Sequence, residues 1–384
     1  MRLRFGAAWR SGEYSSDVMV PQFRRDIPTP ALLLDLDTFE HNVRTMASHV
    51  AARGRTFRPH AKTHKCPEIA RRLIEAGAVG ICAAKLGEAE VFAAATIPGI
   101  LVTTAVVGVA KILRAAALAA RMPDITFCAD DEENVRALST AAVSAGVTMN
   151  VAVDLYFGRT GIEPGAPAAA LAQVIDRLPN LRFAGLQSYD ASASHIPDFA
   201  DRRARSQHSL ARAVETRSLI TKSGVACPFV SGGSTGTYMV DADIDGVTEL
   251  QPGSFIFMDV DYSLIGGPDG PPSRTFRHAL TVITTVVSRH SSTAIVDGGY
   301  KAFSTDRPFT PTPIALPGVS YSWAGDEHGR LDLSAAPREI KVGDRLEFIP
   351  PHCDPTVNLY DRMYALRGDA VEDVWPIAAR GRSD

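Results

Sequence analysis

The stretch TMNVAVDLYFGRTGIEPGAPAAALAQVIDRLPNLRFAGLQ, Thr148–Gln187, holds one complete strand–helix–strand unit. Its run at Thr148–Asp154 is apolar and rich in β-branched residues, and reads as a strand. Ala168–Leu178 reads as an Ala- and Leu-rich helix, and Phe183–Gln187 as a second strand. Strands alternating with helices require a parallel sheet with crossover connections. The pattern recurs in both directions. Strand-like runs precede it at Thr56–Arg58, Val79–Ala83, Gly99–Thr104 and Ile125–Ala129, and follow it at Phe229–Ser231 and Val247–Leu250. Helix-length stretches such as Pro67–Ala76, Glu132–Ala145 and Asp198–Ser223 lie between them. A series of about eight strands predicts a closed (β/α)8 barrel of the TIM type rather than an open sheet. Ahead of the series, Phe39, Val43, Met46 and Val50 mark one face of a helix, with Asp37 as its expected N-cap.

Beyond about residue 270 the helical patterns stop. His278–Val287, Thr293–Val296, Val319–Trp323, Arg345–Ile349 and Arg362–Leu366 read as strands separated by Gly, Pro and Asp turns. The expected organisation is an α/β chain: a barrel over 27–268, then a mostly antiparallel β domain over 269–384. Gly266–Pro272 is the expected linker, and residues 1–26 form an arm.

Composition narrows the function. The chain has 384 residues, 45% hydrophobic and 22% charged, enough apolar material for a full core. Its 40 Lys+Arg against 43 Asp+Glu give a net charge of −3, which argues against a nucleic-acid partner. The five cysteines, Cys66, Cys82, Cys128, Cys227 and Cys353, are scattered, without a C-x-x-C pair, and fit a reducing cytoplasm. The N-terminal MRLRFGAAWRSGEYSSD lacks the sustained apolar run of a signal peptide. Ala105–Ala120, broken by Lys111 and Arg114, is too short to span a bilayer, so no membrane association is expected.

A barrel of this kind carries its active site at the C-terminal ends of its strands. Arg58-Pro59-His60-Ala61-Lys62-Thr63-His64-Lys65 follows the first strand, and Gly158-Arg159-Thr160-Gly161 the fifth. Gln187-Ser188-Tyr189-Asp190 and then His195 follow the sixth, and Ser231-Gly232-Gly233-Ser234-Thr235-Gly236 the seventh. Successive glycines let backbone N–H groups cradle an anion, and Ser234, Thr235 and Thr237 offer hydroxyls. The cations around Lys62 are expected to lower its pKa, and a partly neutral amine can form an imine. An imine-forming lysine together with a phosphate pocket is what pyridoxal phosphate requires. In Pro351-His352-Cys353-Asp354-Pro355, an extended backbone would put His352 and Asp354 on one side, a donor pair suited to Mn²⁺, Zn²⁺ or a similar ion.

Taken together these segments resemble the D-threonine aldolase / D-serine dehydratase family of fold-type III pyridoxal phosphate enzymes. The resemblance runs from about Thr29 to near the C-terminus. It is carried by TPALLLDLD, RPHAKTHKCPEIA, GLQSY, SGGSTG, TELQPGSFIFMD, DEHG at Asp326–Gly329 and HCDPTVNLYD. It implies an alanine racemase-like barrel, a homodimer and pyridoxal 5'-phosphate bound covalently to Lys62. Gly233, Ser234, Thr235 and Gly236 would hold the phosphate, Arg159 and Tyr189 would border the ring, and His352 and Asp354 would bind the divalent cation. The aldolases commonly have His-Gly after the Gln-x-Tyr stretch, whereas Asp190-Ala191 stands here. The base role therefore passes to His195, and Asp190 leaves substrate choice open.

The resemblance implies a lyase that cleaves D-β-hydroxy-α-amino acids to glycine and an aldehyde. Dehydration of D-serine or 3-hydroxyaspartate is the alternative. Asp at 354, where dehydratases tend to have Cys, favours the aldolase and a harder ion, Mn²⁺ first, then Mg²⁺ or Zn²⁺. A non-catalytic pyridoxal phosphate carrier has no use for the metal pair. A racemase would need a second acid/base such as Tyr262, Tyr300 or Tyr321.

Overall fold

The computed structural model describes residues 21–270 and 275–384. Most of the expected N-terminal arm and part of the expected linker lie outside the described residues. Among the described residues a 3-10 turn, Arg24–Asp26, precedes the strand β1 (Ala31–Asp35), and then eight strands form one parallel sheet. They are β2 (Thr56–Phe57), β3 (Cys82–Ala83), β4 (Leu101–Val102), β5 (Thr126–Ala129), β6 (Met149–Asp154), β7 (Leu181–Ser188), β8 (Phe229–Gly232) and β9 (Glu249–Leu250). The sheet runs β2-β9-β8-β7-β6-β5-β4-β3, and a parallel bridge between His60 and Cys82 joins its two ends. Each strand falls within or beside an expected run, and the sheet closes as the expected barrel. All six residues of β6 are buried, as a parallel strand covered on both faces requires.

The second sheet is built from β10 (Leu280–His290), β11 (Thr293–Val296), β12 (Thr312–Pro313), β13 (Ser320–Trp323), β14 (Gly329–Asp332), β15 (Arg345–Ile349), β16 (Arg362–Arg367) and β17 (Ala370–Pro376). Every pair among these strands is antiparallel. β1 joins this sheet too, antiparallel to β10 and parallel to β16. A segment inside the expected barrel range 27–268 thus supplies a strand to the β domain.

The helix Leu36–Ala51 follows β1 directly and buries Phe39, Val43, Met46 and Val50. Its N-cap is Asp35, whose carboxylate accepts from the Thr38 amide at 2.7 Å, and not the expected Asp37. Asp37 instead lies in the first turn and pairs with Arg367. Phe39, Val43 and Met46 share one apolar cluster with Val282, Phe348, Cys353 and Met363 of the β domain. Their burial, roughly 1.5–3 kcal/mol per large side chain, seats the β domain against the barrel. That seam carries the segment 350–354 to the barrel rim. Val260 and Asp261 donate their amides to the carbonyls of Pro350 and Pro351, and Cys353 donates its amide to the Asp259 carboxylate at 2.8 Å.

Candidate active site

Lys62 lies on the single turn Ala61–Thr63 that follows β2. Its basic neighbours are not the free cations the sequence suggests. Arg58 makes a two-pronged contact with Glu249, at 2.8 and 2.9 Å, and Lys65 donates to Glu88 at 2.6 Å. Burial pushes His60 well below the ordinary histidine range and His64 down to about 3, so both rings are neutral. The Lys62 amine instead faces the Asp354 carboxylate, Nζ to Oδ2 3.4 Å. Asp354 raises the Lys62 pKa, and burial does not cancel the effect. The expected depression is therefore reversed: before any ligand arrives, Lys62 is an ammonium ion held in place by a carboxylate.

Asp354 comes from the β domain. Cys353 starts a short helix, Cys353–Val357, so the segment is not extended through Asp354 as expected. One helical turn still leaves His352 Nε2 4.0 Å from Asp354 Oδ1. Cys353 points away, with Sγ 3.3 Å from the Met258 carbonyl. His352 Nδ1 lies 2.7 Å from Asp306 Oδ2. The Asp306 carboxylate there orients the ring so that Nε2 faces Asp354. Asp354 Oδ1 is buried and has no hydrogen-bond partner. Burial raises the Asp354 pKa, but Lys62 and His352 outweigh it and the carboxyl stays below its usual range. An imidazole nitrogen and an orphaned carboxylate oxygen could together hold a divalent cation. No cluster of three such side chains occurs among the described residues.

The charges continue from there. Asp306 Oδ2 lies 3.9 Å from Arg307 Nε, Arg307 Nε 3.1 Å from Asp261 Oδ2, and Asp261 Oδ2 3.1 Å from His195 Nδ1. His195 follows the short helix Ala191–Ser194, and its ring centroid is 5.0 Å from that of Tyr262. Burial raises Asp261, but His195 and Arg307 hold it below the usual carboxylate range. The Arg159 guanidinium sits 5.2 Å above the Tyr189 ring, and both groups act on the charge of Lys62.

Gly233 through Gly236 form a tight loop after β8. Gly233 has φ 74°, and a Cβ there would lie 2.2 Å from Asp241 Oδ2. A Cβ on Gly236 would lie 2.1 Å from the Ser194 carbonyl. Only glycine fits either position. The three hydroxyls expected as donors are not equivalent. Thr237 donates to Asp241 at 2.5 Å and accepts from the Ser234 amide, while Ser234 Oγ accepts from the Gly236 amide. Thr235 Oγ1 accepts from the Phe255 amide, which leaves its own O–H free. Asp190, the departure after Tyr189, caps the helix Ala191–Ser194 and binds Arg205 at 2.7 Å and Ser209 at 2.6 Å. Its carboxylate is consumed in holding the fold. Asp306, Arg307, Asp261 and Asp259 were not singled out from the sequence. Asp259 and Asp261 stand in or beside FIFMD, but nothing local marks a carboxylate that faces a segment far along the chain.

Comparison with known proteins agrees with this architecture. Residues 34–261 match the family model for the alanine racemase N-terminal domain, and residues 279–366 the model for a putative serine dehydratase domain. Fold and rim thus define an alanine racemase-like barrel enzyme completed by a β domain. The chain is 39% identical to a D-threonine aldolase of Arthrobacter sp. over 93% of its own length and 94% of that protein. It is 37% identical to a 3-hydroxy-D-aspartate aldolase of Paracoccus denitrificans (strain Pd 1222), over 93% of each. The crystal structure of D-threonine aldolase from Filomicrobium marinum superposes with a TM-score of 0.90 at 39% identity, covering 95% of this chain and 99% of that one. The chain belongs to the D-threonine aldolase family of lyases, and that family and fold imply pyridoxal phosphate.

Proposed function

We propose that this protein is a pyridoxal phosphate- and divalent-metal-dependent D-threonine aldolase, which cleaves D-β-hydroxy-α-amino acids to glycine and an aldehyde. It would act as a cytoplasmic homodimer with Mn²⁺ in preference to Mg²⁺ or Zn²⁺. One observation carries the reading: the Lys62 amine sits 3.4 Å from a carboxylate whose other oxygen is orphaned beside His352, in a chain 39% identical to a D-threonine aldolase.

Lys62 would hold the cofactor covalently, Gly233, Ser234, Thr235 and Gly236 its phosphate, and Arg159 and Tyr189 its ring. His352 and Asp354 would hold the metal. When bound, pyridoxal phosphate supplies an electron sink for a bond broken at Cα, and a divalent ion supplies a Lewis acid for a ligated hydroxyl. The chain's own groups do the rest. Arg159 over Tyr189 gives a cationic, planar floor on which a ring can lie. Asp354 fixes the Lys62 amine on the rim, and Asp306 fixes the His352 ring. Asp261 Oδ2, 3.1 Å from His195 Nδ1, sets the orientation of the ring, and Nε2 would take the proton of the substrate's β-hydroxyl. Losing that proton lets the hydroxyl carbon become an aldehyde as Cα–Cβ breaks.

The test is incubation of the enzyme with D-threonine and Mn²⁺, with both carbonyl products measured. Acetaldehyde and glycine in equal amounts are expected. Accumulation of 2-oxobutanoate alone would make the enzyme a dehydratase and overturn the reading.

A further inference from the structure

Helix Phe199–Lys222 runs beneath the glycine-rich loop and carries a buried arginine, Arg202, only 3% exposed. Its guanidinium donates to five backbone carbonyls: Gly236 at 2.7 Å, Ile196 at 2.5 Å, Pro197 at 3.1 Å, Asp198 at 3.4 Å, and Gly266. Among the described residues it forms no ion pair, although it sits 5.4 Å from the Phe199 ring. A buried cation normally has a carboxylate partner, because taking an unpaired charge out of water is costly. Five carbonyls satisfy the N–H groups, and the one carboxylate that acts on the positive charge, Asp198, does so from beyond ion-pair distance.

One turn further along the same helix, Ser206 donates to Asp241, the carboxylic acid that holds Thr237 and abuts Gly233. Asp241 has no cationic partner either, and burial pushes its pKa up to about 7. The loop is therefore gripped by Arg202 at Gly236 and by Asp241 at Gly233 and Thr237. Asp241 gives up much of its charge at neutral pH, and Arg202 cannot. Arg202, Thr235, Gly236 and Tyr262 also line one cavity behind the loop. An anion on the loop would complete the counter-charge that Asp198 supplies only from a distance.

We propose that Arg202 is the positioning residue that sets the affinity of this loop for the phosphate of the cofactor. It acts through the Gly236 carbonyl and its permanent charge rather than by touching the phosphate. This rests on the reading of the site as a pyridoxal phosphate site. The test compares dissociation constants of pyridoxal phosphate and of pyridoxal, which lacks the phosphate, for the full-length wild type, Arg202→Lys and Arg202→Gln. Both substitutions break the five-carbonyl fork, and only lysine keeps the charge. The glutamine variant is expected to bind pyridoxal phosphate roughly tenfold or more weaker than the lysine variant, with pyridoxal affinity nearly equal in the two. Equal pyridoxal phosphate affinity in the two variants, or parallel loss of both ligands in the glutamine variant, would reduce Arg202 to a structural clamp and overturn the inference alone. If the wild type binds neither ligand, the cofactor reading falls with it.

Discussion

Asp354 serves two partners with its two oxygens. Oδ2 faces the Lys62 amine at 3.4 Å, and Oδ1 faces His352 Nε2 at 4.0 Å. The residues at this corner were readable as types, since a lysine, an imidazole and a carboxylate stand in recognisable segments. Their protonation was not. The acids that neutralise the basic cluster lie elsewhere in the chain, Glu249 being 191 positions from Arg58, so a local reading counts the cations and misses their partners. At this scale Asp306 is the most informative position. Asp306→Ala frees His352 Nδ1 and should weaken activation by Mn²⁺ roughly 10- to 100-fold in metal titrations. An unchanged titration would show that Asp306 does not orient the ligand. His195→Gln should lower kcat for D-threonine cleavage roughly 10²- to 10⁴-fold while cofactor binding, read by absorbance, stays intact. A variant with full activity would remove His195 from the base role.

The elements were legible where each had its own periodicity. All eight barrel strands fall on apolar runs, even β3 and β4 with two residues each. The strands that escaped, β1, β12, β14 and β17, are those whose pattern is not their own. β1 is a solid apolar run that could belong to either sheet, and β14 (GRLD) and β17 (AVEDVWP) bury only part of their residues. The helix Leu36–Ala51 was found by its buried face, but its cap was shifted because Asp35 and Asp37 look equally suitable in sequence. The loop after β8 yields two tests. Gly236→Ala must move the loop away from the Ser194 carbonyl and should impair cofactor binding, measured by equilibrium titration; wild-type affinity would show that the loop lies outside the site. Asp241 yields a pH test. Its folded pKa is about 7, against about 3.9 in an unfolded chain. As pH rises between these values the unfolded chain releases the proton while the folded one keeps it. Stability therefore falls across that window, and the group adds no pH dependence below it or above it. In urea titrations at a series of pH values, Asp241→Asn should remove about one proton from that slope. An unchanged slope would mean the group is ionised throughout.

At the scale of the whole molecule, the candidate site lies where two folding units meet. The barrel supplies Lys62, and the β domain supplies His352 and Asp354. Asp259 joins the two, accepting from the Tyr262 and Cys353 amides at 2.9 and 2.8 Å. Asp259→Ala should destabilise the protein by about 1–3 kcal/mol in urea unfolding and also weaken metal activation, because both amides lose their acceptor. A stability loss with metal response intact would separate the tie from the site. The barrel and the β domain could be foreseen from chain-long alternation, but their seam could not, because contacts between distant segments leave no local signature. The proposed function turns on the amine at position 62. The direct measurement is borohydride reduction of the enzyme as purified with pyridoxal phosphate, followed by proteolysis and mass mapping of the fixed pyridoxyl group. It should be found on the peptide containing Lys62 and be lost in Lys62→Ala. A pyridoxyl group on another lysine, or on none, would contradict the assignment of this site.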